Sequence, residues 1–325
     1  MVSWKPSATL ETLRARASLL ARIRAFFAEH DVLEVNTPML SEAATVDPNI
    51  HSWRAESTDF GWRWLHTSPE FAMKRLLAAG SGPIFQICPV FRADETGRLH
   101  NPEFTMLEWY RPGYDHHQLI DEVEALMTAV LPAGRVSMPS QRLSYRDAVV
   151  REAGIDPHGA TTTDLRSCLK QQDIAEPDNI TDEEAADPNF WLDLLMGVCV
   201  GPKLGQDCLT FIYDYPASQA ALARVRPGEP SLAERFELYW QGVELANGFH
   251  ELGDPAEQRR RFELDQARRH ARGQPVPPLD EKLLAALETG LPDCAGVALG
   301  LDRLLMLSLG LNSVAATLAF PFDRA

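Results

Sequence analysis

The chain is 325 residues long, room for one large domain or two ordinary ones. Lys and Arg number 31 against 46 Asp and Glu, and the resulting charge of −15 excludes a generic nucleic-acid binder, because neutralising phosphates takes a surplus of cations. An apolar fraction of 45% and a charged fraction of 24% exclude global disorder and fit an ordinary globular protein.

The first segment reads as a long amphipathic helix, with Leu10, Leu13, Ala17, Leu20 and Phe27 as its stripe and Ser7 or Thr9 as its cap. Arg14, Arg16, Arg22 and Arg24 fall mostly off that stripe. Val32 to Val35 predicts a short strand stopped by Pro38. In TSPEFAMKRLLAAGSG, Ser68 is the expected cap, Pro69 the first helical residue, Glu70 a first-turn acid and Gly80 the end. IFQICPVFRADE and EFTMLEWYRPGYD predict two strands joined through the polar loop TGRLHNP, and residues 116–131 return to helix. From about 140 to 206 the pattern suggests a mainly helical insertion. Strands resume at LTFIYDYP and in FELYWQGVELANGFHEL. A charged helix over 255–273 precedes CAGVALGLDRLLMLSLG, which reads as a strand, a glycine turn and a buried helix. Strand runs outnumber βαβ alternations, so the expected class is α+β, an antiparallel sheet flanked by helices.

The five cysteines show neither a CxxC pair nor a zinc spacing, which suits buried thiols in a reducing compartment. No N-terminal stretch resembles a signal peptide and no window approaches ~18 apolar residues. A cytoplasmic protein with no membrane association is expected.

The chemistry concentrates in VFRADETGRLHNPEFTMLEWY. Arg92 ends a strand at the mouth of a loop carrying Arg98 and His100, and its guanidinium offers a planar fork to phosphate or carboxylate oxygens. On the returning strand Phe104, Met106 and Glu108 share a face, with Tyr110 two positions further on. Taken by themselves, Glu237 and Glu244 read as ordinary strand carboxylates, and Glu70 serves a helix dipole equally well. No GxxxxGK loop is present, so a P-loop enzyme is not supported.

The pattern FR-x-D/E, a His-containing loop and EFT resembles motif 2 of the class II aminoacyl-tRNA synthetases. HNPEFTMLEWY, GVELANGFHEL and GVALGLDR, in that order, resemble the lysine-specific branch. The likeness runs from about residue 10 to the C-terminus and is weakest between 140 and 206. It implies that the first helix and VNTPML, with Pro38, are motif 1 and build a homodimer. It further implies that Arg92 and Arg303 are catalytic, Arg92 on the substrate carboxylate and α-phosphate and Arg303 on the γ-phosphate of ATP. His100 would face the phosphates, Phe104 stack on adenine beside Gly300, and Asp94, one methylene short, stand where a glutamate meets the adenine amino group. Glu237 and Glu244 would hold Mg²⁺. Glu70 would meet one amino group of a lysine, Glu108, Tyr110 and Glu251 its distal ammonium, and Asn247 its carboxylate.

Residues 1–325 are thus expected to be one catalytic domain with the insertion at about 140–206 and without the N-terminal OB-fold that grips an anticodon. That shortened form resembles the elongation factor P–lysine ligases, which implies activation of (R)-β-lysine with ATP and its transfer to the ε-amine of a lysine on elongation factor P, with tRNA not a partner. Ala298, where lysyl-tRNA synthetases have glycine, adds a methyl expected to favour a β-amino over an α-amino substrate. Alternatives are a stand-alone enzyme charging tRNA and a non-catalytic lysine-sensing paralogue.

Overall fold

The computed structural model describes residues 4–132, 134–178 and 180–325. The chain divides into two compact units, Met1–Pro132 with Glu251–Ala325, and Ala133–His250.

The first unit opens with helix α1 (Leu10–Glu29), where Thr9 Oγ1 accepts the Thr12 N–H at 3.1 Å. Its buried residues are Thr12, Leu19, Ile23, Phe26 and Phe27. The buried face is therefore rotated from the expected stripe: Leu10 and Ala17 are exposed. The cause is that leucines occur on more than one side of this helix, so spacing alone does not select the core side. Short strands β1 (Leu33–Glu34), β2 (Leu40–Ser41), β3 (Arg54–Ser57) and β4 (Gly61–Leu65) follow, with β2, β4 and β3 forming a small antiparallel sheet. Then come α2 (Glu70–Ala78), β5 (Ile84–Phe91), β6 (Glu103–Pro112) and α3 (His116–Val130). β5 and β6 form the expected hairpin, paired from Ile84↔Tyr110 to Phe91↔Glu103, and β1 joins β5 in parallel.

The second unit holds β7 (Ser137–Ser144), α4 (Tyr145–Ala153), α5 (Thr162–Gln171), α6 (Asp182–Ala186), α7 (Pro188–Leu195), β8 (Cys208–Pro216), β9 (Val225–Arg226), β10 (Leu232–Trp240) and β11 (Val243–His250). The segment expected to be helical from about 140 begins as strand. β7 pairs in parallel with β8, and Pro139 disguises it, a residue that an edge strand tolerates. β10 lies between β8 and β11 and is antiparallel to both. Gln241 and Gly242, at φ 51° and 73°, turn β10 into β11, and a β-carbon on Gly242 would stand 2.7 Å from the Pro202 carbonyl oxygen. Tyr145, Val149, Leu165, Trp191 and Leu195 pack with Ile212, Tyr215 and Tyr239 into this unit's core.

The chain re-enters the first unit with α8 (Pro255–Ala271), α9 (Glu281–Gly290), β12 (Cys294–Gly300) and α10 (Leu301–Leu309). β12 pairs antiparallel with β6 from Cys294↔Pro112 to Gly300↔Met106. The separate glycine turn expected after β12 does not exist; Gly300 itself precedes the first residue of α10. The class is α+β, and β1/β5 and β7/β8 pair in parallel. Among the described residues, none of the cysteines is in a disulfide and no helix is long and apolar enough to cross a membrane.

Candidate active site

Residues directly opposed across an antiparallel ladder share a face. Gln86, Glu108 and Ala298 therefore lie abreast on β5, β6 and β12, with Ile84, Tyr110 and Gly296 in the next row. The alternate residues Phe85, Leu107, Trp109, Val297 and Leu299 are buried on the other face, where Phe27 of α1 stacks on Phe85 at 4.4 Å. One side of the ladder is core, and the other carries a buried carboxylate.

Glu108 accepts 2.7 Å hydrogen bonds from Ser68 Oγ and Tyr110 Oη. Burial and then the Glu70 charge push its carboxyl up to about 8, against those two donors. Ser68 Oγ also accepts the Glu70 N–H at 3.0 Å, so the residue expected to cap α2 ties the helix start to the strand acid. Lys74, one turn along α2, is 2% exposed, and its Nζ lies 2.6 Å from both Glu70 Oε1 and Glu251 Oε2. Burial opposes that ammonium, but Glu251 and Glu70 outweigh it and hold it above the ordinary lysine range. Burial likewise drives Glu251 up to about 7, with Lys74 pulling it down. Tyr110 is raised by burial and by Glu108, so it stays a donor. Gly296 lies beneath this group: a β-carbon there would overlap the Tyr110 ring and stand 2.5 Å from Glu251 Oε1. Glu70, Glu108, Tyr110 and Glu251 thus come together, and Ala298 stands beside Glu108.

The loop between β5 and β6 gathers a second group. The Arg92 guanidinium lies over the Phe104 ring at 5.3 Å, its Nε is buried without a hydrogen-bond partner, and Glu95 is 3.7 Å from Nη1. Arg303 donates to His100 Nε2 at 2.7 Å and to the Leu99 carbonyl at 3.2 Å. Burial and the adjacent Arg303 lower the His100 pKa, which leaves a neutral ring able to accept. Asp94 takes φ 66° and turns its exposed carboxylate to His51 Nδ1 at 3.1 Å. Arg16 of α1, set off the stripe in the sequence reading, reaches Asp302 and Thr105, while Asp302 accepts the Thr105 N–H at 2.7 Å. The neighbours of Arg303 and Phe104 are thereby bolted to one helix.

The remaining expected residues belong to the second unit. Glu237 and Tyr239 share a face of β10, and Tyr239 opposes Glu244 across the hairpin, so both acids stand on one face. Arg235 binds Glu237 Oε1 and donates to Asn247 Oδ1 at 3.0 Å, and Tyr239 donates to Glu237 Oε2 at 2.8 Å. Gln219 gives its carbonyl to Arg235 at 3.0 Å and donates its amide to Asp193 of α7 at 2.7 Å. Through Gln219, helix α7 of the insertion therefore braces the residue that holds Glu237. An all-oxygen set of two carboxylates with a nearby amide suits Mg²⁺ by donor chemistry.

Lys74, Arg235 and Gly296 were not singled out from sequence. The first follows Glu70 by four residues on a predicted helix, the spacing of an ion pair. Arg235 sits two before Glu237, hence on its face, and a glycine inside a strand marks close approach. The Arg16–Asp302 contact spans 286 positions and left no local signal.

The family described as tRNA synthetases class II (D, K and N) matches residues 1–324. Among curated relatives, a Vibrio vulnificus protein named elongation factor P--(R)-beta-lysine ligase is 50% identical over 330 residues, covering 99% of each chain. Proteins of the same name are 50% identical in Klebsiella pneumoniae over 328 residues (99% of this chain, 98% of that one) and 49% identical in Vibrio parahaemolyticus over 331 residues (99% of each).

Proposed function

The chain belongs to the class II tRNA synthetase family (D, K and N), within the group named elongation factor P--(R)-beta-lysine ligases, and from that premise we propose that it is an ATP-dependent ligase joining (R)-β-lysine to elongation factor P. The observation that carries this reading is the convergence of Glu70 and Glu251 on one buried ammonium, with the buried Glu108 and Tyr110 close by. A cluster so rich in acid suits a ligand with two ammonium groups. Charge-assisted hydrogen bonds to such groups contribute about 1.5–3 kcal/mol each. The Ala298 methyl beside Glu108 favours the β-amino isomer.

In the first step the ligand carboxylate attacks the α-phosphorus of ATP in line, giving an aminoacyl-adenylate and pyrophosphate. Two anions must meet, so the barrier falls with cations fixed in advance. Arg92 serves carboxylate and α-phosphate, Arg303 the γ-phosphate with neutral His100 holding its fork, and Phe104 the adenine beside Gly300. Asp94 reaches the adenine amino group through water. Asn247 meets the ligand carboxylate. Glu237 and Glu244 would hold Mg²⁺, which supplies further neutralisation of phosphate charge when bound. In the second step a lysine of the acceptor, as the free amine, attacks the adenylate carbonyl, and AMP leaves. We take residues 1–325 as one catalytic domain, working as a cytoplasmic homodimer.

The test is to incubate the protein with ATP and labelled lysine isomers in the presence of both tRNA and elongation factor P. Label on the factor alone, with ATP–pyrophosphate exchange fastest for (R)-β-lysine, is the expected outcome. Label on tRNA makes it a synthetase, and no exchange makes it a sensor.

A further inference from the structure

Lys74 is assigned no step in the scheme above, yet it is 2% exposed and 2.6 Å from two carboxylates that come from separate segments. A buried ion pair is weak grounds for stability, since well-packed apolar residues often serve as well. Its position has a clearer consequence for binding. Glu70, Glu108 and Glu251 would together carry three charges in a dry space, and without a fixed cation such acids take up protons instead of keeping charge.

We propose that Lys74 is a positioning residue for the diamino-acid site: its ammonium fixes the Glu70 and Glu251 carboxylates one on either side of it, so that the ligand's two ammonium groups meet acceptors that are already in place. The proposal rests on the diamino-acid reading given above. In this arrangement Glu108 is held separately, by Ser68 and Tyr110.

The groups facing the pair are few. Glu70 comes from α2, Glu108 and Tyr110 from β6, and Cys88 on β5, whose thiol is pushed up to about 12 by burial, stays neutral. α9 packs against α2 with Leu283, Leu284 and Leu287 buried, and Phe262 of α8 meets Phe71 of α2 at 5.6 Å. Glu281 of α9 is turned outward to Arg259. No second cation among the described residues is shown within ion-pair distance of Glu70 or Glu251.

The experiment is ATP–pyrophosphate exchange between pH 6 and 9 with whichever lysine isomer the unaltered enzyme uses, comparing it with Lys74→Met and Lys74→Arg. Lys74→Met is expected to raise KM for the amino acid at least tenfold at pH 7 and change kcat less than threefold. It should also move the acid limb of 1/KM upward by at least one pH unit, because Glu251 then loses the cation that pulls its pKa down. Lys74→Arg, which restores the charge, should return the limb to its original pH. A folded Lys74→Met variant whose limb does not move overturns the proposal, whatever its kcat. Should that variant fail to fold, the unaltered enzyme decides: calorimetric titration with the amino acid at pH 8, in buffers of different ionisation enthalpy, is expected to show release of at most one proton, and release of two or more overturns the proposal. An unaltered enzyme that exchanges with no lysine isomer overturns the functional reading itself, a result distinct from an unmoved limb.

Discussion

At Gly296 the demand on the residue is steric and local. Its backbone lies under the Tyr110 ring and beside Glu251, and the nearest atoms a β-carbon would meet belong to those two side chains. An added methyl has to displace one of them, and neither can move far while Tyr110 is bonded to Glu108 and Glu251 to Lys74. Overpacking of this kind costs about 1–3 kcal/mol. We expect Gly296→Ala to fold with a lowered melting temperature, to bind ATP nearly as before, and to raise KM for the amino acid by an order of magnitude or more. Equal losses for ATP and amino acid, measured in the exchange assay, would place the damage elsewhere. Two positions on, the Ala298 methyl packs against the buried cluster of Cys88, Val90 and Met106.

Among elements, β5, β6 and β12 were legible because branched and aromatic residues run together there and the loop chemistry between them is distinct. α1 was legible as a helix but not in its orientation. Its Arg16 looks like a solvent-facing charge until Asp302 and Thr105 arrive from the far end of the chain. Contacts of this range are set by tertiary packing, and no periodicity within twenty residues encodes them. The same limit hid β7, whose residues lack the usual strand signature and pair only through β8. The ATP roles proposed for Arg303 and Phe104 would give the Arg16 contact a functional side, since Asp302 precedes Arg303 and Thr105 follows Phe104. Breaking a largely buried pair by removing one partner costs about 3–5 kcal/mol, because the other charge stays behind. Arg16→Ala should therefore shift urea denaturation to clearly lower concentration and raise KM for ATP more than KM for the amino acid. Arg16→Lys should recover most of the stability and only part of the ATP affinity, because an ammonium lacks the two-pronged fork. A variant that loses stability but keeps both KM values would limit Arg16 to holding the fold.

For the molecule as a whole, the acid-rich composition legible at the outset becomes a statement about stability and pH once the buried carboxylates are located. That Glu70, Glu108 and Glu251 come together was legible only through the motif resemblance, since nothing in their spacing shows that one lysine draws two of them together. Glu108 and Glu251, raised to about 8 and about 7 chiefly by burial, bind protons more tightly folded than unfolded, and Asp265, raised to about 6 by burial, shares the sign. For such groups the folded state is favoured below the unfolded pKa, and that advantage is lost as pH rises through the folded values. Glu257 behaves oppositely, held down to about 2 by Arg260 and opposed by burial, so its contribution is complete above the ordinary glutamate range and constant across the window that matters here. Folding stability should accordingly fall between about pH 5 and pH 8 even though the surface acids are fully ionised for most of that interval. Glu108→Gln removes the largest of these penalties while keeping a side-chain oxygen to accept from Ser68 or Tyr110. We expect it to flatten the decline and to be more stable than the unaltered protein at pH 8, by on the order of 1–2 kcal/mol, a unit of pKa shift being about 1.4 kcal/mol. Amino-acid-dependent exchange should fall steeply in the same variant, since the lost charge is the one a ligand ammonium would meet. Melting curves at pH 5 and pH 8 decide the matter: a variant no more stable than the unaltered protein at pH 8 would mean that Glu108 is ionised at little cost, and that the cluster's charge is balanced without a ligand.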